Sequence, residues 1–385
     1  MRQDRNKLAT GKAGVPDWTT HPPGMGNMAR MLESSLGDRL RLPRESFGIA
    51  GVRLDELGTV REEVVLDAPF GRLLRFAAGA KKREAVLVVA PMSGHSSAQL
   101  RDTVRDLVPS FDVYVTDWRD ASEVPPDDGD FGLDDYIDYL LKYIAEVGPR
   151  ANVLAICQSC VPALAAVALM AEDRHAALPR TLILMAGPID ARCNPSTVNA
   201  FATGAPLEWF EQQLITTVAK DLPGAGRRVY SGAMQIVTAM GMEQRRRIAT
   251  LESSLMNPFL YWPAVMQLAS AMPEQQPVLD LAADFYLDNL REVFQEYALA
   301  RGALLHRGRP VRPQAIRKLA LLTVEAGNDE ICGVGQTVAA HRLCSGLDAS
   351  QKRHFEASNA GHRDVFSGKH WHEQVLPEVM KVLRP

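Results

Sequence analysis

The feature that most constrains this chain is the junction within NVLAICQSCVP, where a short apolar run ends at Cys157 and the helix-forming run LAAVALMA follows. An abrupt strand-to-helix turn lifts one side chain above a sheet and leaves the next backbone N–H free. Such a turn requires small residues two positions to either side, and Ala155 and Ser159 occupy those positions. The sequence therefore predicts that Cys157 stands on a nucleophile elbow.

Strand and helix patterns alternate on both sides of this junction. EEVVLDAPFGRLLRFAAG predicts two strands joined by a turn at Pro69 to Gly71, and EAVLVVAP, DVYVTDW, TLILMAGP, LALLTVEAG and HFEASNAG predict further strands. Helical spacing occurs in SAQLRDTVRDLVPS, LDDYIDYLLKYIAEVG, GQTVAAHRLC and WHEQVLPEVMKVL. Repeated strand-helix units indicate an α/β fold with a mostly parallel, doubly wound sheet.

The alternation stops near Gly187 and resumes near residue 314, and the intervening WFEQQLITTVAKDL and VLDLAADFYLDNLREVFQEYALARG have helical spacing. We predict a loosely ordered N-terminal extension over 1–45, the first part of the core over 46–188, an inserted helical cap over 189–313 and the second part of the core over 314–385. The aromatic stretch NPFLYWPAVMQLASAM in this cap either packs it onto the sheet or faces a hydrophobic substrate.

Composition excludes several classes of protein. A net charge of −3 and a pI near 6.3, with scattered arginines, argue against nucleic acid as a partner. Five irregularly spaced cysteines do not form a disulfide framework and indicate a reducing compartment. No apolar run reaches the roughly 18 residues of a transmembrane segment, and the N-terminus lacks the apolar core of a signal peptide. We expect a cytoplasmic protein.

A cysteine nucleophile needs a base, and the base needs a carboxylate to orient it. Asp329 follows the strand LALLTVEAG, and His362 follows the strand HFEASNAG. Both therefore lie beyond carboxyl ends of strands, where open α/β sheets place their active sites. The chain order of nucleophile, acid and histidine is that of the α/β-hydrolase fold. We predict this fold, with a Cys157–His362–Asp329 triad.

Each of these residues has rivals. Asn328 and Glu330 share the loop of Asp329, and His354, His370 and His372 compete with His362. Gly361, directly before His362, suits an irregular loop that turns the ring inward. A free cysteine is more often an inert core residue, and it is the elbow context that favours Cys157 as a nucleophile.

The predicted oxyanion hole combines the backbone N–H of Gln158 with one from APMSGHSSAQ, where Met92 is the first candidate and Ser93 the second. The same stretch also suits a helix cap at Ser96 or Ser97, and the two roles are compatible.

Cys157 and Cys160 also form C-x-x-C at a helix start, a pattern of dithiol oxidoreductases. Those folds are small and carry the motif early, whereas here more than a hundred residues precede it, so a redox protein is the weaker hypothesis. No G-x-x-x-x-G-K-[ST] and no cluster of His and Cys is present in the sequence, so no obligatory cofactor or metal is expected.

Several stretches together resemble the intracellular poly(3-hydroxyalkanoate) depolymerases, cysteine α/β hydrolases that degrade polyester granules. They are APMSGHSSAQLRDTV, DVYVTDWRDA, ICQSCVPALAAVALMA, LMAGPIDARCNPSTVNAFA, FYLDNLREVFQEYALARG with HRGRPV, LLTVEAGNDEICGVGQTVAAH and NAGHRDVFSGKHW. The resemblance spans roughly residues 46 to 376, cap included.

The resemblance implies Cys157 as nucleophile, His362 as base and Asp329 as its partner, acting on poly(3-hydroxybutyrate)-type polyester at a granule surface. Coenzyme A or water would accept the acyl group, and a homo-oligomer is compatible with the sequence. Two features depart from the family: Ser159 and Cys160 stand where Pro and Ser are common, and the N-terminal region is short. The second leaves granule attachment open.

Three other functions remain. Polyhydroxyalkanoate synthases use the same triad types, but their elbow carries glycines that this chain lacks. A cysteine hydrolase of small esters or lactones is another alternative, although the dienelactone hydrolases are smaller and lack such a cap. A non-catalytic granule-coating protein would not need the three triad residues.

Overall fold

The computed structural model describes residues 46–54, 57–239 and 278–384, so the predicted extension over 1–45 and the aromatic stretch over 257–272 lie outside the described residues. A nine-stranded sheet forms its centre, in the order β1-β2-β3-β5-β4-β6-β7-β13-β14. Its strands are β1 Arg53–Leu54, β2 Gly58–Ala68, β3 Gly71–Ala78, β4 Ala85–Val89, β5 Asp112–Trp118, β6 Asn152–Ile156, β7 Thr181–Met185, β13 Ala320–Ala326 and β14 Lys352–Ala357.

The sheet is antiparallel at one side and parallel over the rest. β1, β2, β3 and β5 pair antiparallel, whereas β5, β4, β6, β7, β13 and β14 run parallel. β4, β6 and β7 lie inside the parallel part and are buried nearly throughout, which explains their continuous apolar runs. The carboxyl ends of the parallel strands therefore share one edge, where the predicted site residues follow β4, β6, β13 and β14.

Helices cover the sheet, and for two of them the sequence explains which faces are buried. The helix α2 is amphipathic and buries Tyr136, Ile137, Leu140, Tyr143 and Ile144. The helix α3, directly after the elbow, is buried from Cys160 to Met170 and is accordingly apolar on all sides. The helices of the described residues include α1 Arg101–Leu107, α2 Leu133–Val147, α3 Cys160–Glu172, α4 Thr197–Thr203, α5 Leu207–Leu214, α6 Ala283–Asn289, α7 Ala340–Leu343 and α8 Leu376–Leu383.

The segment predicted as a helical cap also contains short strands. β8 Ile215–Thr217, β9 Arg228–Tyr230 and β10 Leu281–Ala282 form a three-stranded antiparallel sheet, and β11 Leu305–His306 pairs with β12 Arg309–Pro310. The helix predicted over 209–222 thus ends at Leu214, because the β-branched run at 215–217 enters this sheet. The helix predicted over 278–302 begins only at Ala283 and continues as a π-helix to Gln295.

The helix predicted in GQTVAAHRLC is reduced to the single turn of α7. The buried carboxylate of Glu325 accepts hydrogen bonds from the N–H groups of Gly335, Thr337 and Val338 at 2.7–2.9 Å. These contacts replace helical ones and hold the chain in turns before α7. Of the described helices, none is both long enough and apolar enough to cross a membrane.

Candidate active site

Cys157 stands on a strained turn between β6 and α3. Its φ of 57° lies in the left-handed region, which non-glycine residues avoid unless the surroundings enforce it. Ser159 supplies part of that enforcement: its Oγ accepts a hydrogen bond from Ile156 N–H at 2.9 Å and donates to the Val89 carbonyl at 2.9 Å. Ser159 therefore fastens the turn to β4, so its small size is only part of its role.

The elbow also requires a glycine from the next strand-loop junction. A Cβ on Gly187, just after β7, would lie 2.3 Å from Cys160 Sγ and 3.0 Å from the Cys157 carbonyl oxygen. Cys160 itself is fully buried, and its Sγ faces the carbonyl oxygens of Ala155 at 3.3 Å and Met185 at 3.6 Å. Burial raises the pKa of Cys160 well above its usual value. These features argue against a dithiol shared with Cys157.

Asp329 and His362 are hydrogen-bonded to each other beyond the carboxyl ends of β13 and β14. His362 Nδ1 lies 2.9 Å and 2.8 Å from the two carboxylate oxygens of Asp329. The Asp329 side chain is completely buried, and its Oδ1 accepts the backbone N–H groups of Ile331 and Cys332, each at 2.8 Å. Since Nδ1 is engaged by the carboxylate, Nε2 is the nitrogen that remains for a thiol.

Cys157 acts electrostatically on the His362 ring. Burial by itself would lower the pKa of His362, but the interactions of the ring with Cys157 and with the Asp329 carboxylate outweigh it. The pKa of His362 is therefore raised well above its ordinary value. The arrangement favours the charged form of the His362 ring.

The rival residues have other contacts. His354 Nδ1 lies 3.0 Å from Thr323 Oγ1, and His370 and His372 pair with Asp364 and Asp106. On the acidic loop, Glu330 reaches only the backbone N–H of His362, at 3.4 Å. Asp329 and His362 are thus the carboxylate and histidine brought beside Cys157.

The predicted oxyanion-hole residues lie next to one another. Met92 N–H donates a hydrogen bond to the side-chain oxygen of Gln158 at 3.1 Å, and that side chain also donates to Asn289 Oδ1 at 3.3 Å. The Met92 N–H therefore faces an acceptor beside the elbow. Ser93 follows Met92 and lines the cavity over Cys157 that is described below. Ser96 accepts the N–H of Ala98 at the start of the short helical turn Ser97–Leu100, which confirms the predicted helix cap, and the oxyanion role of Met92 and Ser93 stays a prediction.

A largely apolar cavity of about 640 Å³ opens over Cys157. Its core side includes Met92, Gln158 and Cys332, and its cap side includes Leu281, Phe285, Tyr286, Asn289 and Phe294. The cap is tied to the loop of Met92, because Leu279 N–H donates to the Gly94 carbonyl at 2.6 Å. The volume and lining suit an apolar ligand with a few polar groups.

Sequence reasoning did not identify the residues that form the described cap side of this cavity. It singled out the aromatic stretch over 257–272, whereas the lining residues named above lie between 281 and 294. The sequence feature that could have indicated them is the helical spacing of Phe285, Tyr286 and Asn289, which places these side chains on neighbouring faces of one helix. Cys332 was also missed, although it follows Asp329 by three residues. Among the described residues, no group of His, Cys, Asp and Glu is arranged to hold a metal.

The strand order of the sheet, and an elbow after β6 at the edge where Asp329 and His362 also lie, make this chain an α/β hydrolase. Its family follows from the sequence. Residues 186–385, half of the chain, match the family model described as PHB de-polymerase C-terminus, and the chain belongs to that family of poly(3-hydroxybutyrate) depolymerases. The match includes Asp329, His362 and the cap, and it begins after the elbow.

Solved structures similar to this chain include other hydrolases. A monoacylglycerol lipase from Paleococcus ferrophilus is 15% identical, with a TM-score of 0.43 over 81% of this chain and 98% of the lipase. A 2-hydroxy-6-oxo-6-phenylhexa-2,4-dienoate hydrolase from Rhodococcus is 12% identical, with a TM-score of 0.44 over 85% of this chain and 100% of the hydrolase. A search of curated proteins found no match. The family assignment rests on the family model.

Proposed function

We propose that this protein is an intracellular polyhydroxyalkanoate depolymerase that cleaves ester bonds of poly(3-hydroxybutyrate)-type polyester with a Cys157–His362–Asp329 triad. The observation that carries the proposal is the His362 ring, which is hydrogen-bonded to the buried Asp329 carboxylate and lies near enough to Cys157 for that residue to raise its pKa, below an apolar cavity. Membership of the depolymerase family supports the polyester as substrate.

In the proposed first half-reaction, the Cys157 sulfur attacks an ester carbonyl carbon of the polymer. A C–S bond forms, the C–O bond to the next monomer breaks, and the imidazolium of His362 gives its proton to the departing alkoxide. The product is a thioester on Cys157 and a polymer end with a free hydroxyl. Asp329 holds the ring so that Nε2 faces the reacting atoms.

In the second half-reaction, water attacks the thioester carbonyl and loses its proton to His362. The C–S bond breaks, the hydroxy acid leaves and the starting state is restored. Exchange of one thioester for another is close to isoenergetic, so coenzyme A is a second acceptor in this proposal and would yield hydroxyacyl-CoA. No obligatory cofactor enters either route.

The developing oxyanion would be bound by the N–H groups of Gln158 and Met92, with Ser93 as the alternative to Met92. The hydrogen bond from Met92 to the Gln158 side-chain oxygen supports this assignment, because an uncharged carbonyl oxygen already occupies an acceptor position in front of that N–H. The proposal places the enzyme in the cytoplasm at the granule surface.

The test is release of soluble product from amorphous poly(3-hydroxybutyrate) granules, detected by mass spectrometry with and without coenzyme A. Wild type, Cys157→Ala and the matched control Cys160→Ala are compared, since Cys160 is buried and faces backbone carbonyls. We expect release by wild type and Cys160→Ala, and none by Cys157→Ala. No release by wild type would refute the polyester as substrate, and consumption of hydroxyacyl-CoA to make polymer would favour a synthase.

A further inference from the structure

Ala90 directly follows β4, and side chains of β5 and α2 hold its backbone in place. Its carbonyl oxygen accepts hydrogen bonds from Trp118 Nε1–H at 2.8 Å and from the Tyr136 hydroxyl at 3.0 Å. Its N–H donates to Thr116 Oγ1 at 2.9 Å. Ala90, Trp118 and Tyr136 are all buried. The backbone N–H and C=O of Ala90 are thus bound by side chains of β5 and α2 and not by a neighbouring strand.

This matters for the site because Met92 follows Ala90 by two residues, with Pro91 between them. Proline fixes φ at residue 91, so only ψ of Pro91 remains variable between the Ala90 carbonyl and the Met92 N–H. That N–H is the donor that meets the Gln158 side-chain oxygen in front of the elbow. Donors aimed at a developing charge act strongly only when their direction is fixed beforehand.

Tyr136 is itself held in place by rings. It lies 4.4 Å from Trp118 and stacks on Phe285 of the cap segment at 5.4 Å with 14° between the planes, both measured between ring centroids. Burial raises the pKa of Tyr136 well above its usual value, so the hydroxyl remains a donor at working pH. A phenylalanine at this position would keep the ring contacts and lose only the hydroxyl.

We propose that Tyr136, together with Trp118, is a positioning residue of the oxyanion hole, which acts by holding the Ala90 carbonyl so that the Met92 N–H faces the reacting ester. This inference rests on the proposed function for the chemistry of the site. It concerns any ester or thioester that reacts at Cys157, and it is independent of the polymer.

The chain contains a matched control on the same helix. Tyr143 is also completely buried, and its hydroxyl donates to the Gly71 carbonyl at 2.9 Å. Gly71 begins β3 and pairs with Trp118 of β5, so both tyrosines lie near Trp118, but only the Tyr136 hydroxyl donates to the Ala90 carbonyl. Tyr143→Phe therefore removes the same kind of buried hydrogen bond as Tyr136→Phe, keeps the ring beside Trp118 and leaves both hydrogen bonds to the Ala90 carbonyl in place.

The experiment compares wild type, Tyr136→Phe and Tyr143→Phe in the hydrolysis of p-nitrophenyl butyrate, with denaturant unfolding of all three. We expect kcat to fall about tenfold in Tyr136→Phe with KM within about twofold of wild type, because the lost orientation affects the transition state more than the bound ester. Tyr143→Phe should keep both constants within about twofold while losing a similar amount of stability.

A second readout uses an aryl trifluoromethyl ketone, which forms a tetrahedral oxyanion on the thiol. Its inhibition constant should rise in Tyr136→Phe and stay unchanged in Tyr143→Phe. Equal kcat in Tyr136→Phe and wild type, or equal losses in the two variants, would overturn the positioning role. Wild type that hydrolyses p-nitrophenyl butyrate but no polyester refutes only the proposed substrate, and wild type that cleaves no ester refutes both.

Discussion

The side-chain oxygen of Gln158 accepts the N–H of Met92 at 3.1 Å, so the two residues assigned to the oxyanion hole are joined before any ester enters. The substrate oxygen must then replace the Gln158 side chain as the acceptor. The amide of Gln158 also reaches Asn289 of the cap segment, which gives the displaced side chain a partner on the far side of the cavity.

This relationship predicts losses of very different size for two substitutions of similar volume. Gln158→Glu places a carboxylate where negative charge develops, and we expect kcat to fall by roughly a hundredfold or more at pH 7.5 and to recover partly as the pH is lowered. Gln158→Met keeps the backbone N–H without a competing acceptor and should lose only a few-fold. Steady-state kinetics of both variants make the comparison, and similar losses at all pH values would speak against the oxyanion assignment.

Asp329→Asn should lower kcat by roughly 10²- to 10⁴-fold, because the neutral amide neither fixes the His362 tautomer nor stabilises its charge. The fold should survive, since an amide oxygen can still accept the N–H groups of Ile331 and Cys332. The control is Glu330→Gln on the same loop, which touches only the backbone of His362. Kinetics and thermal unfolding are measured together, and equal losses of activity in the two variants would remove Asp329 from the triad.

The raised pKa of His362 predicts how stability depends on pH. A histidine whose pKa is higher in the folded than in the unfolded state adds stability that is complete below pH about 6.5 and is lost as the pH rises through its folded value. Urea unfolding between neutral and alkaline pH should therefore show a steeper loss in wild type than in His362→Gln. The exposed His175 gives the control His175→Gln, which should follow wild type. Parallel curves for all three proteins would contradict the raised pKa.

Gly187→Ala should destabilise the elbow by about 3 kcal/mol or more, because the added methyl meets Cys160 Cβ at 2.2 Å and Sγ at 2.3 Å. Removing the obstacle in the double variant Gly187→Ala with Cys160→Gly should restore part of the unfolding free energy and of the activity. Chemical denaturation measures the coupling between the two sites. Additive losses would show that Gly187 is needed for another reason.

The parts of the fold that the sequence predicted are those governed by local pattern. β4, β6 and β7 are nearly continuous apolar runs because both faces of the sheet are covered there. Asp329 and His362 lie in the loops that directly follow β13 and β14. The hairpin of β2 and β3 turns between Ala68 and Gly71 as predicted. These features need only neighbouring residues to be recognised.

The parts that the sequence did not predict depend on contacts between distant residues. The Tyr136 hydroxyl and the Ala90 carbonyl are 46 positions apart, and nothing in LDDYIDYLLKYIAEVG marks one tyrosine as different from the others. The strands β8, β9 and β10 are only two or three residues long, too short for an alternating pattern. The turns before α7 depend on the buried carboxylate of Glu325, whose partners lie 10 to 13 residues further on.

The central claim is a covalent thioester on Cys157, and trapping it is the most direct measurement. Wild type is mixed with a soluble 3-hydroxybutyrate oligomer, quenched in acid within the turnover time and digested, and the acyl group is located by fragmentation of the peptide that contains Cys157 and Cys160. The account predicts an acyl group on Cys157 that hydroxylamine removes and that is absent from Cys157→Ala. An acyl group on another residue, or turnover that persists in Cys157→Ala, would contradict it.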